Sequence, residues 1–232
     1  MAKARGFTAL SGPPLPLSVR GGFFVILLVS GATKTVYSYA GNQFIGVLVE
    51  PSGGNDITKI PEGMQLAADN GCFNGLDAVK FIKMLERLKK SNVLWVTCPD
   101  AVADADVTRE RFKIWSPLVK SYELPLAYVI QDGELIHKIP WDDISCIFIG
   151  GSTEWKLRGE VREMVQYAKR LGKWVHMGRV NGKRRMQYAL EVGCDSVDGS
   201  SFSKFPDAHI PWALKMLSEF DQLPRGDAQS AL

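Results

Sequence analysis

Apolar and polar residues alternate along this chain in blocks of two lengths. Short, mostly apolar runs of three to seven residues recur: Phe23–Val29, Leu66–Ala68, Val93–Thr97, Leu126–Ile130, Cys146–Ile149, Trp174–Met177 and the still briefer Ser196-Val197. Most stop at a polar residue with Gly or Pro close by, as a buried parallel strand does where it opens into a loop. Between them lie longer amphipathic blocks, which predict helices over Leu76–Lys90, Asp106–Tyr122, Glu154–Leu171, Gly182–Glu191 and Ile210–Phe220. In the first, Val79, Ile82, Leu85 and Leu88 are expected to share the buried face. Asn42–Glu50 is a further apolar stretch, followed by the turn-rich Pro51–Asp56.

About seven strands alternating with helices fit a (β/α) barrel or a doubly wound sheet. A doubly wound sheet gathers its ligand residues after the first strand. Here the polar ends are spread over several strands, which favours a compact α/β TIM-like (β/α)8 barrel with one strand irregular or missing. Residues 1–20, rich in Pro, Gly and Ser, read as a flexible leader, 21–222 as one barrel domain, and 223–232 as a flexible tail.

Composition changes this picture little. The chain has 232 residues, 46% of them hydrophobic, enough for one sizeable core. Its net charge of +3 neither demands nor excludes nucleic acid. Phe23–Val29 is too short to span a bilayer, and no membrane association is expected. Cys72, Cys98, Cys146 and Cys194 form no C-x-x-C pair and sit in or beside apolar runs, so they read as reduced packing residues of a cytoplasmic protein. His137, His176 and His209 lack ligand spacing, so neither metal nor cofactor is expected and they read as structural or exposed.

The chemistry lies at the strand ends: Asp69-Asn70-Gly71, Pro99-Asp100, Gln131-Asp132-Gly133, Gly150-Gly151 and Asp198-Gly199. In a barrel these ends converge on one mouth. Taken singly, each has a plain reading as a turn or cap, and Asp195 is the alternative carboxylate should the register of the last strand slip by one repeat, although Cys194–Val197 reads as strand and Asp198 as its end. Lys183–Arg185 alone reads as a solvated helix face.

These segments, in this order, resemble the tRNA-guanine transglycosylases over roughly Gln65 to Phe202: Asp69-Asn70-Gly71-Cys72-Phe73, Pro99-Asp100, Ile130-Gln131-Asp132-Gly133, Ile149-Gly150-Gly151 and Met177-Gly178, then Cys194–Asp198. The family's tRNA enzymes carry a zinc site after the last catalytic Asp. Only 34 residues follow Asp198 here, with no Cys and a lone His209. The short form looks like the phage and bacterial 7-deazaguanine DNA transglycosylases, which implies a phage protein in a bacterial cytoplasm.

The resemblance makes Asp198 the nucleophile and Asp69 the general acid/base. It sets Asp100, Gln131, Gly150, Gly151, Asn70, Phe73 and Met177 around the base. Arg179, Lys183, Arg184, Arg185, Lys156, Arg158 and Lys204 would line a rim that binds phosphates of DNA whose guanine has left the stack. The partners implied are DNA and a free 7-deazaguanine base, with a homodimer or partner subunit also compatible. A tRNA-directed transglycosylase and a non-catalytic nucleic-acid-binding subunit are the alternatives.

Overall fold

The computed structural model describes residues 24–53, 55–89 and 91–223. The expected leader, 1–20, and all of the expected tail except Leu223 lie outside them. Eight parallel strands close into a barrel in sequence order: β1 Ile26–Val29, β2 Ile45–Val49, β3 Gln65–Ala68, β4 Val96–Thr97, β5 Leu126–Ile130, β6 Cys146–Ile149, β7 Trp174–Met177 and β8 Ser196–Asp198, with β8 pairing back onto β1. No strand is missing. The eighth is β2, inside the apolar stretch Asn42–Glu50. Its Gly46 lets β3 come close, since a Cβ there would stand 2.6 Å from the Gln65 carbonyl oxygen.

Two apolar layers hold this shape. Ile26, Leu28, Leu48, Trp95, Val129 and Phe148 fill the barrel interior. The alternate residues, such as Leu27, Val47, Ile130, Ile149 and Met177, pack outward against helix residues including Phe81, Leu85 and Val165.

The helices are α1 Thr33–Tyr37, α2 Ala78–Leu88, α3 Ala105–Ser121, α4 Thr153–Lys156, α5 Gly159–Arg170, α6 Lys183–Val192, α7 Ser200–Lys204 and α8 Pro206–Asp221. Side-chain caps start two of the long ones: Asp77 accepts from Lys80 N at 3.0 Å and Asp104 from Val107 N at 2.9 Å.

Three expectations change. The buried stripe of α2 is Phe81, Met84, Leu85 and Leu88, while Val79 is 62% exposed. Val79 lies six residues before Leu85, about 240° round the helix, and so faces solvent. The single helix expected over Glu154–Leu171 breaks into α4 and α5, with Arg158 extended between them. Trp155 is buried on α4, and Val161, Met164, Val165 and Ala168 on α5. Six residues separate Trp155 from Val161, so one straight helix would turn them about 240° apart; the break lets both face the barrel. The last helix begins at Pro206 rather than Ile210, and the short α7 precedes it.

The four cysteines are free and buried. Cys146 faces the barrel interior, and Cys98 and Cys194 belong to the outer layer. Among the described residues, no helix is long and apolar enough to cross a membrane.

Candidate active site

The C-terminal strand ends open into a cavity of about 360 Å³. Asp69 and Asn70 enter it from β3, Asp100 from beyond β4 and Gln131 from β5. Gly150 and Gly151 follow β6, Arg179 follows β7, and Asp198 ends β8. Phe73 stands at the mouth, 66% exposed, with the Arg179 guanidinium 5.7 Å from its ring centroid. Thus eight of the nine residues expected to form the catalytic pair and to surround a base line one cavity. Met177 does not. It is buried in the outer layer, because alternation along β7 turns its neighbour His176 inward.

Asp198 is gripped from two sides. Its Oδ2 is 2.8 Å from His176 Nε2, and its Oδ1 accepts from Arg179 N at 3.1 Å. Arg179 adopts φ +60°, the left-handed region, to aim that amide. Burial pushes the Asp198 carboxyl upward, but the His176 hydrogen bond, the charge of that ring once protonated, the Arg179 amide and the Lys156 charge outweigh it and hold the group below its ordinary 3.8.

Asp69 is pushed the other way. Burial, then the charges of Asp100, Asp198 and Glu50, raise it from 3.8 to about 7, against the opposing hydrogen bond from Thr97 Oγ1 at 2.9 Å. Asn70 N also donates to Asp69 Oδ1, at 2.8 Å.

The wall between them is an amide network. Asp100 accepts from Asn70 Nδ2 at 2.9 Å and from Gln131 Nε2. Burial raises its pKa, opposed by these two bonds and by the charge of Arg111. Gln131 Oε1 accepts from Ala103 N at 2.9 Å and Gly151 N at 2.6 Å, tying the loops after β4, β5 and β6 together. Asp132 accepts from Ser152 N at 2.5 Å and Ser152 Oγ at 2.6 Å. Gly151, at φ +69°, has no room for a side chain: a Cβ would sit 2.6 Å from Asp132 Oδ1 and from the Trp155 ring.

Of the basic residues expected at the rim, Arg158, Lys183, Arg184, Arg185 and Lys204 are exposed on the segments after β6, β7 and β8. Arg185 reaches the Arg179 carbonyl at 3.0 Å and Thr153 Oγ1 at 3.2 Å, bracing two loops. Lys156 departs from the expectation. It is 6% exposed, and its Nζ donates to the Gly178 carbonyl at 2.6 Å. Burial pushes this amine down to about 7. It sits behind the Asp198 wall because α4 turns it toward the barrel. Asp195, the alternative carboxylate, precedes β8 at the opposite barrel end, ion-paired with Lys169 at 2.5 Å.

Three contributors escape the sequence reading. Glu50 follows β2, and burial raises its pKa despite a hydrogen bond from Ser30; it obeys the same strand-end rule as the others. His176 and Ser196 are inward polar residues within buried strands, both fully buried. Neither His137 nor His209 approaches the cavity; the first is exposed, the second packs near Phe202 and Trp212. Among the described residues no group of three or more His, Cys, Asp or Glu is placed to hold a metal ion.

No family model matches this chain, and no curated protein matches it. Solved structures do. KGPDC from Streptococcus mutans superposes with a TM-score of 0.56 at 13% identity, covering 86% of this chain and 100% of that one. Tryptophan synthase from M. tuberculosis gives 0.56 at 12%, covering 89% and 96%. The fold is a TIM barrel. A mutant tryptophan synthase alpha-subunit from Pyrococcus furiosus, at 0.52 and 11% over 85% and 96%, agrees. At such identities the likeness extends to the barrel alone, and the cavity residues carry the chemical argument.

Proposed function

We propose that the chain is an enzyme that exchanges guanine in DNA for a 7-deazaguanine through a covalent Asp198–glycosyl intermediate. One observation carries the reading: two carboxylates lining a single cavity are driven apart in acidity, Asp198 held ionised and Asp69 raised to about 7. Base exchange at a sugar needs that division, a charged attacking oxygen and a protonated donor.

In the first step an Asp198 oxygen bonds to C1′ of the flipped nucleotide. The bond from C1′ to the base breaks, its electron pair stays on the base, and the Asp69 proton neutralises the leaving purine. In the second step Asp69, now a carboxylate, takes a proton from the incoming base. A base nitrogen bonds to C1′, and the Asp198–C1′ bond breaks to restore the carboxylate. The cavity suits a flat, amide-rich ligand. Beyond the bond they share, Asp100 keeps acceptor lone pairs and Gln131 Nε2 keeps a second hydrogen to donate, and Phe73 with Arg179 offers faces for stacking. Exposed Arg158, Lys183, Arg184 and Lys204 supply charge for phosphates.

The test incubates the purified chain with guanine-containing DNA, or with tRNA, and labelled 7-cyano-7-deazaguanine. Label in DNA and a denaturant-resistant protein–DNA adduct, lost in Asp198→Asn, support the reading. Label in tRNA alone redirects it to the tRNA enzymes. Binding of DNA without exchange makes the chain a partner subunit.

A further inference from the structure

β7 and β8 lie side by side, with His176 opposite Ser196 in the register. Trp174, His176, Ser196 and Asp198 are linked across the two strands in one hydrogen-bonded chain rising from the barrel floor to the cavity. Trp174 Nε1 is 2.8 Å from Ser196 Oγ, Ser196 Oγ is 2.8 Å from His176 Nδ1, and His176 Nε2 is 2.8 Å from Asp198 Oδ2. Of the four, only Asp198 lines the cavity. His176 and Ser196 have no exposed surface, so His176 acts on a ligand only through Asp198.

The direction of the chain follows from what each group can give. An indole N–H donates and never accepts. It therefore takes a lone pair of Ser196 Oγ. The serine hydrogen needs an acceptor, and His176 Nδ1 supplies it. With Nδ1 accepting, the proton of a neutral imidazole sits on Nε2, aimed at Asp198. In this arrangement every hydrogen of the chain has an acceptor. An imidazolium would put a proton on Nδ1 and strand the buried hydroxyl.

The surroundings favour the neutral ring. Trp95 and Phe148, in edge contact with each other, both pack against the imidazole, their centroids 4.7 and 4.5 Å from its own. Burial pushes its pKa below 6.5, and the Lys156 charge acts in the same sense; Asp198 opposes both. Lys156 is also the buried cation that acts on Asp198, and Asp69 and Glu50 are the carboxylates whose charges couple to it.

We propose that His176 is the positioning residue of Asp198, a neutral Nε2–H donor whose tautomer is dictated from below by Ser196 and Trp174. A neutral donor fixes the carboxylate rotamer and steadies its charge without cancelling it, as an adjoining cation would. The name "positioning residue" rests on reading Asp198 as the attacking group, but the proton arrangement is measurable without turnover.

The first measurement is nitrogen NMR of histidine-labelled full-length protein. His176 should carry hydrogen on Nε2 only and should not titrate between pH 5.5 and 8, a window of about 2.5 units that takes in the free value of about 6.5. A proton on Nδ1, or titration in that window, overturns the proposal. The second follows the Asp198 carboxyl by carbon NMR in His176→Met, which has no donor, and His176→Gln, which keeps an N–H at similar reach. The pKa should rise by roughly one to two units in the Met variant and stay low in the Gln variant. Equal titration in wild type and His176→Met, or matching behaviour of Gln and Met, overturns it. The acid limb of single-turnover exchange should shift with the same pattern. Should wild type exchange no base at all, the proposed reaction falls, while the tautomer and the titrations still decide this inference.

Discussion

Replacing Asp69 by Asn should stabilise the protein at pH 8 and leave it nearly unchanged at pH 4. Asn keeps an oxygen for the Asn70 and Thr97 donors and removes only the charge. The Asp69 carboxyl is raised from 3.8 to about 7 in the fold. An acid raised on folding binds its proton more tightly when native, so native stability falls as pH climbs from about 4 through 7. Three units at about 1.4 kcal/mol each give about 4 kcal/mol as the full amplitude, and about 2 kcal/mol once solvent at the cavity mouth screens the charge. Urea denaturation of both proteins at the two pH values measures it as a difference of differences, so any pH-independent effect of the amide drops out. An equal stability gap at pH 4 and pH 8, or a gap of opposite sign, would show that Asp69 ionises freely and cannot serve as an acid near neutrality.

Other expectations follow from the same cavity. In Gly178→Ala the new methyl would lie 2.7 Å from the Phe148 ring, which is itself wedged against Trp95 and His176; thermal melts should report a loss of about 1–3 kcal/mol. Lys156→Met removes an amine pushed down to about 7. A base lowered on folding penalises its charged form, so the variant should gain stability over wild type at pH 6, and the gain should shrink as pH rises from 7 toward 10. Removing Lys183 or Arg184 should weaken DNA binding alike for all sequences and flatten the logarithmic salt dependence by about one for each phosphate left without its cation; an unchanged slope would take that side chain off the track.

Much of this architecture is readable from the chain alone. β5, β6 and β7 have the bounds that their apolar runs predict, because Pro125, Gly150 and Gly178 or a charged loop flank them. The catalytic candidates are readable for a similar reason, since a polar residue ending a buried run has one place to point. Parity is not readable. A barrel strand is apolar on both faces, so Trp174-Val175-His176-Met177 carries no mark of which set faces the axis. Met177 therefore reads as a neighbour of the ligand and His176 as a bystander, whereas Met177 packs outward and His176 points inward behind Asp198. The break after Lys156 also needs the third dimension, since local helix preference continues across Leu157. It is this break that turns a rim lysine into a buried one.

The four buried thiols have a practical consequence. Burial pushes the pKa of each above its ordinary value, Cys72 least, to about 11, so a labelling reagent should ignore all of them while the barrel is shut. Cys72 sits in the loop after β3, Cys146 inside the barrel on β6, and Cys194 just before β8. The order in which they become modified would record which seam of the cylinder parts first, an endogenous stopwatch for its breathing that needs no introduced label site.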